Sequence, residues 1–254
     1  MKLAAWNVNS LKVRLPHLLA WLAREQPDAI CLQETKTEDA NFPAGDILQA
    51  GYRVVYSGQK TYNGVAILAR TEPTATICGI PGFDDPQKRA IAATVGHIRL
   101  VCVYVPNGQS LESDKYRYKL AWLTAFSAWL RSEIAAHPRL AVLGDFNIAP
   151  EDRDVHDPKA WEGQVLCSPP ERDAFRNMLE AGLVDSFRLF EQPEKAYSWW
   201  DYRMNGFKRN LGLRIDHVLL SRQLAPLCVT SRIDVETRKL ERPSDHAPVY
   251  VQLG

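Results

Sequence analysis

One stretch constrains this chain more than any other: Leu140-Ala141-Val142-Leu143-Gly144-Asp145-Phe146-Asn147. Four apolar residues run without interruption into a glycine, and an acid and an amide follow at once. An apolar run this short predicts a buried strand rather than a helix. Side chains alternate across a strand, so Asp145 and Asn147 project to one side while Phe146 returns to the core. A carboxylate and a carboxamide delivered together at a strand end suit a hard cation or a phosphate. Alone, the same residues suit a strand closed by an Asx-turn equally well, and the rest of the chain has to decide.

That pattern of strand and polar ending recurs. Residues 3–8 read as a strand carrying Asn7 and Asn9 at its end, and residues 28–32 as a second, followed by Gln33-Glu34. Ser10 is expected to cap a helix with Leu15, Leu18, Leu19 and Leu22 as its apolar stripe. Short β segments then follow at 52–57, 64–70, 74–77, 91–95 and 99–105, separated by Gly, Pro and Asn, which predicts antiparallel sheet. Tyr104 stands near the end of the last, and Pro106-Asn107-Gly108 closes it. A helix is predicted over 112–136, with Leu123, Phe126, Leu130 and Ile134 at core spacing and Lys115, Arg117 and Lys119 facing solvent or a phosphate backbone.

After the central strand, residues 148–167 are irregular and too long for an ordinary connection, the mark of a functional or mobile loop. Ser168-Pro169-Pro170-Glu171 is a capping box with proline at the first helical position. Residues 213–221 read as a strand interrupted by Asp216-His217, and strands at 228–235 and 249–253 end the chain. The expected architecture is one α/β domain over residues 1–254, two packed sheets flanked by helices.

With 46% hydrophobic residues in 254, the chain can bury a large core without disulfide staples. Its five cysteines are widely spaced and include no Cys-x-x-Cys, which disfavours a disulfide framework or a zinc knuckle and fits a reducing, cytoplasmic setting. No signal peptide or membrane span is expected. A net charge of +1 means that any nucleic-acid binding must rest on a local patch. One candidate exists, in which Arg203, Lys208, Arg209 and Arg214 occur with no acid between Tyr202 and Ile215.

The polar residues at strand ends and in the loops beyond them are Asn7, Glu34, Tyr104, Asn107, Asp145, Asn147, Asp216, Asp245 and His246. They are oxygen donors, amides and one imidazole, with no cysteine, a set suited to magnesium or manganese. Hydrolysis of a phosphodiester builds negative charge on the phosphoryl oxygens. A cation, an amide donor and a histidine offset that charge, and a carboxylate deprotonates water.

Six blocks carry a family resemblance: Trp6-Asn7-Val8-Asn9-Ser10, Leu32-Gln33-Glu34-Thr35-Lys36, Tyr104-Val105-Pro106-Asn107-Gly108, Gly144-Asp145-Phe146-Asn147-Ile148-Ala149-Pro150, Leu211-Gly212-Leu213-Arg214-Ile215-Asp216-His217 and Ser244-Asp245-His246-Ala247-Pro248. Together, in this order and over essentially the whole chain, they resemble the exonuclease III family of apurinic/apyrimidinic endonucleases. The resemblance implies a four-layer α/β sandwich of two mixed sheets flanked by helices, the endonuclease/exonuclease/phosphatase fold. It implies a Mg2+ cofactor, with Mn2+ substituting, and a monomer acting on double-stranded DNA at abasic sites and blocked 3′ ends.

Carried over by position, Glu34 resembles the principal metal ligand with Asn7 beside it, and Asp245 a metal-linked carboxylate. The resemblance also counts Asp145, Asn147 and His246 among the residues of the metal site. Asp145 resembles the group that prepares the attacking water and Asn147 the amide that steadies the oxyanion. His246, oriented by Asp216, resembles a phosphate ligand, with Tyr104 and Asn107 in support. Trp199, Leu213 and Ile215 fall where the family builds an apolar pocket for an extruded abasic sugar; such a site is already unstacked and cheap to flip. Arg203, Lys208, Arg209 and Arg214 become a strand clamp, and Gln164 a residue that sets whether internal sites or 3′ ends fit.

The chain departs from the pattern at Leu213 (tryptophan in some relatives), Asn9 (aspartate in some) and Gln87-Lys88 (commonly Glu-Gly). The activity implied is cleavage of duplex DNA 5′ to an abasic site, with 3′-5′ exonuclease and 3′-phosphatase activity. The alternatives are a paralogue specialised for 3′ ends and a small-molecule phosphoesterase on the same fold.

Overall fold

The computed structural model describes residues 1–254. Its strands are β1 (Lys2–Asn7), β2 (Ala29–Gln33), β3 (Arg53–Ser57), β4 (Val65–Ala69), β5 (Thr74–Cys78), β6 (Ala90–Val95), β7 (Ile98–Tyr104), β8 (Leu140–Asp145), β9 (Leu183–Asp185), β10 (Trp199–Trp200), β11 (Gly212–Leu213), β12 (Asp216–Ser221), β13 (Cys228–Ile233) and β14 (Val249–Leu253). The helices are α1 (Leu11–Glu25), α2 (Ala44–Gln49), α3 (Asp114–Ala136), α4 (Pro158–Trp161) and α5 (Pro169–Glu180). One six-stranded sheet runs β13-β14-β1-β2-β4-β3 and the other β5-β6-β7-β8-β12-β9, while β10 and β11 form a small ribbon. Both large sheets are mixed: β1–β2 and β7–β8 are parallel and their other pairs antiparallel.

Alternation along the strands sorts the core into three apolar layers, which makes the molecule a four-layer sandwich. Leu3, Ala5, Cys31, Ile67, Leu100, Cys102, Leu143 and Leu220 meet between the sheets. Their neighbours Ala4, Trp6, Ile30 and Leu32 pack outward with Leu18, Trp21 and Leu22 of α1. On the opposite side Val101, Val142 and Leu219 pack with Trp122, Phe126 and Leu130 of α3 and Phe175 of α5.

The α5 capping box forms as the sequence predicts, with Ser168 and Glu171 satisfying each other's backbone N–H groups. Ser10 does not cap α1. Its side chain makes no cap bond: at φ 87° its backbone is outside the extended region from which an N-cap side chain reaches the first turn, and its N–H is held by the Glu34 carbonyl at 2.8 Å. The predicted 213–221 strand is two pieces: Gly212–Leu213 pairs with Trp199–Trp200, and Asp216 opens β12. Between the two pieces the Arg214 N–H bonds the Asp154 carbonyl at 2.9 Å, and the guanidinium is buried against Asp154 and Asp185. No helix is long and apolar enough to cross a membrane.

Candidate active site

The parity that places Leu3 and Ala5 between the sheets carries Asn7 to the same side. The same holds for Tyr104 after Leu100 and Cys102, Asp145 after Ala141 and Leu143, and Asp216 before Val218 and Leu220. Register then aligns them. Parallel pairing sets Tyr104 beside Asp145, and antiparallel pairing sets Asp216 opposite Asp145. Glu34 and Asn147, one and two residues past their strands, have left-handed φ values of 51° and 49°. This conformation is unfavourable for residues with a Cβ and concentrates at functional sites. Gly144 is required here: with φ 149°, a Cβ would lie 2.0 Å from the Val103 carbonyl oxygen.

The result is a polar cluster at one open end of the inter-sheet core. Asn7 Nδ2 donates to Glu34 Oε1 at 2.8 Å and to Asp145 Oδ2 at 2.9 Å. Asp145 Oδ1 accepts from the Asn147 backbone N–H at 2.9 Å. His246 Nδ1 lies 2.9 Å from Asp216 Oδ2, and His246 Nε2 lies 3.7 Å from Asp145 Oδ2. Ser198, which sequence reasoning passed over, fixes the far side of Asp216. Its hydroxyl donates to Asp216 Oδ2 at 2.6 Å and accepts the backbone N–H groups of Ile215 and Asp216.

Burial alone would lower the His246 pKa, but Asp216 and Asp145 outweigh it and push the imidazole up to about 10. Nδ1 therefore donates to Asp216, and Nε2–H faces Asp145. Burial, with Asp216 and Glu34 as further negative neighbours, pushes the Asp145 carboxyl up to about 7 against the pull of His246 and the Asn7 hydrogen bond. The two groups titrate as a coupled pair. Burial, then Glu34 and Asp145, raises the Tyr104 phenol well above its usual value and keeps it a neutral donor.

Ligand atoms of Glu34, Asp145 and His246 lie within 4.8 Å of one another. The two carboxylates fit a hard divalent cation, whereas an imidazolium cannot ligate one. Three other expected ligands are turned away. Asn7 aims its NH2 at the carboxylates and its carbonyl oxygen at the Asn9 N–H, 3.0 Å away. The carbonyl oxygen of Asn147 accepts from Asn107 Nδ2 at 3.0 Å, and its Nδ2 donates to the Val105 carbonyl at 3.0 Å. One Asn147 N–H is left over. Asp245 accepts from Asn9 Nδ2 at 2.8 Å and Trp199 Nε1 at 3.0 Å, outside the three-residue cluster. Burial would raise the Asp245 pKa, but His246 and these two donors hold it below the usual carboxylate range.

A cavity of about 690 Å3 opens from Glu34, Tyr104 and Asn107 and is lined further by Lys36, Arg89, Lys115, Gln59, Gln87 and Gln109. Lys36 bridges Glu34 at 2.8 Å and Asn9 at 2.6 Å, and Arg89 stacks 4.7 Å from the centre of the Tyr104 ring. Lys115 was expected to face solvent or a phosphate backbone, whereas Lys36 and Arg89 carried no expected role, although Lys36 sits in the same block as Glu34. Of the expected clamp, Lys208 and Arg209 are exposed, and Arg203 is exposed but paired with Asp201 at 2.5 Å.

Arg214 is corrected outright. It is 1% exposed and held by Asp154 and Asp185 at 2.7 and 2.8 Å, so it touches no DNA. Leu213 and Ile215 are 0% and 2% exposed, packed with Val155, Leu166 and Cys167 beneath a half-buried Trp199, and present no open wall. Gln164 is exposed on the 148–167 loop. Lys119, expected at the surface, is fully buried.

A two-sheet sandwich with a carboxylate, imidazolium and amide cluster at one end is the frame of a phosphoester hydrolase. Residues 4–246 match the model of the Endonuclease/Exonuclease/phosphatase family, and the chain belongs to that family. It is 37% identical to "Exodeoxyribonuclease III" of Haemophilus influenzae over the full length of both chains. A 3′ phosphatase from Neisseria, solved bound to a product DNA hairpin, is 48% identical with a TM-score of 0.98, covering 100% of this chain and 99% of that one. An AP endonuclease from Archaeoglobus fulgidus is 38% identical with a TM-score of 0.96 at the same coverage. This chain is a DNA repair nuclease.

Proposed function

We propose that the chain hydrolyses phosphoester bonds in duplex DNA at blocked 3′ ends and 5′ to abasic sites, using one centre and one hard cation. The convergence of Glu34, Asp145, Asp216 and His246 at the end of the inter-sheet core carries this proposal. Asp145 sits where it can take a proton from the attacking water. His246, held charged by Asp216, binds the scissile phosphate, and Tyr104 and the spare N–H of Asn147 donate to its oxygens as negative charge builds. When bound through Glu34 and Asp145, Mg2+ supplies further charge neutralisation, with Mn2+ a substitute. Asn107 holds the amide of Asn147 in place. The basic cavity beside Glu34 takes the adjoining strand, and Lys208, Arg209 and Arg203 hold phosphates further out.

A narrower version, in which 3′ ends dominate, is favoured by one observation. Leu213 and Ile215, expected to wall a pocket for an extruded abasic sugar, are instead buried with Val155, Leu166 and Cys167. Duplexes with a 3′-phosphate or an internal abasic analogue, assayed alongside an inositol phosphate, separate these possibilities. Both duplexes should be processed with magnesium and spared in excess chelator, and the inositol phosphate left intact. Incision much slower than 3′-phosphate release supports the narrower version. Hydrolysis of the inositol phosphate alone contradicts both.

A further inference from the structure

Behind the two asparagines lies a buried lysine that no part of the chemistry above uses. Lys119, on the second turn of α3, is 0% exposed. Its ammonium donates to the backbone carbonyl of Asn147 at 2.7 Å, to the backbone carbonyl of Asn107 at 3.1 Å, and to Glu171, itself 0% exposed. Three donors meet three acceptors, so the group is fully satisfied. Glu171 in turn accepts the backbone N–H groups of Leu166 at 2.9 Å and Ser168 at 3.1 Å and the Ser168 hydroxyl. Gly108 leaves room for the lysine stem, since a Cβ there would lie 3.3 Å from Lys119 Cδ.

The pair therefore joins the exits of β7 and β8 to the far end of the 148–167 loop, where the Ala149 N–H also meets the Leu166 carbonyl at 2.8 Å. Left-handed Asn147 turns its carbonyl away from the sheet ladder, and a buried carbonyl needs a donor. An apolar side chain of equal volume would fill the slot and is commonly as good for stability as a buried ion pair. It would leave both carbonyls without a donor. What the lysine adds is orientation.

We infer that Lys119, with Glu171, is a positioning residue for the reaction: it sets the Asn147 backbone, and through it the Asn147–Asn107 amide pair that faces the substrate phosphate. This rests on the site assigned above, so the test includes a readout independent of turnover. In Lys119→Met/Glu171→Met, no charge is left unpaired and the chain should fold. Its kcat on the 3′-phosphate duplex should fall by roughly a hundredfold, the scale of a misplaced catalytic group, with KM within about twofold of wild type. The side-chain NH2 resonances of Asn107 and Asn147 should shift in 15N-correlated NMR spectra.

Arg99→Met breaks a buried pair with Glu133 at the opposite end of β7. It should lower stability while leaving kcat and those resonances unchanged. Equal kcat losses in the two variants, or unshifted amide resonances in the double variant, overturn the inference. Should wild type fail on both duplexes, the substrate assignment falls, and the NMR comparison alone decides the role of Lys119. Should the double variant not fold, the wild-type protein decides the matter: a slowly exchanging Lys119 NH3+ signal supports the buried, triply bonded ammonium, and a rapidly exchanging one overturns it.

Discussion

Replacing Arg214 by methionine separates a buried structural cation from a DNA-contacting one. Arg214 Nε bonds Asp154 at 2.7 Å, Nη2 bonds Asp185 at 2.8 Å and Nη1 bonds His217 at 3.0 Å. Burial would lower its pKa, but Asp185 and Asp154 raise it far above the ordinary value, so it is always charged. Removing one partner of a buried pair costs about 3–5 kcal/mol, because the other charge stays buried. Here Asp154 keeps Arg188 at 2.5 Å and Asp185 keeps the Phe187 N–H at 3.1 Å, which places the cost near 3 kcal/mol. For a domain of this size each kcal/mol moves Tm by about 2–4 °C, so Arg214→Met should melt roughly 6–12 °C early in a thermal scan without DNA.

Its DNA affinity, followed from about 50 to about 200 mM salt, should keep the wild-type slope. Arg209→Met should do the reverse, melting with wild type and losing about 0.9 from the slope for the lost phosphate contact. An Arg214→Met protein that melts with wild type and shows a shallower slope would refute the buried-network assignment.

Three further outcomes are expected. Asp145→Asn should abolish turnover while folding and DNA binding persist; retained turnover removes Asp145 as the base. Gly144→Ala should be strongly destabilised, by at least about 1–3 kcal/mol from backbone strain, and wild-type urea stability would contradict the close approach of β7 and β8. His217 links stability to pH. Burial, then Arg214, pushes its pKa down to about 4, so between about pH 6.5 and 4 the unfolded chain binds a proton that the fold excludes. Stability from this group is present above pH 6.5 and lost as pH falls through the window. Asp145, with its pKa raised to about 7, adds stability as pH falls through the whole of that window, so the difference from His217→Gln is the quantity to measure. That gap should narrow by about 2 kcal/mol between about pH 7 and pH 5; a constant gap contradicts it.

Much of this site was legible in the sequence because strand alternation is. Once residues 140–145 and 3–8 read as buried strands, Asp145 and Asn7 had to emerge beside their cores, and the blocks around Glu34 and His246 supplied the rest. What failed had physical causes. Arg214 and Lys119 look like surface cations in sequence, and only tertiary structure brings Asp154, Asp185 and Glu171 to them. Asn7 and Asn147 have the right chemistry for ligands, but which end of an amide faces the site depends on its neighbours. Leu213 and Ile215 read as a pocket wall by resemblance, and the loop residues Val155, Leu166 and Cys167 close over them. Ser198 was hidden in an aromatic run.

Function here requires that residues from both sheets assemble one cation site facing one phosphorus. Anomalous diffraction from a crystal soaked in Mn2+ shows whether they do. A single strong peak should touch carboxylate oxygens of Glu34 and Asp145, with His246 still paired to Asp216. A peak elsewhere, or Glu34 remote from Asp145 and His246, contradicts the shared site.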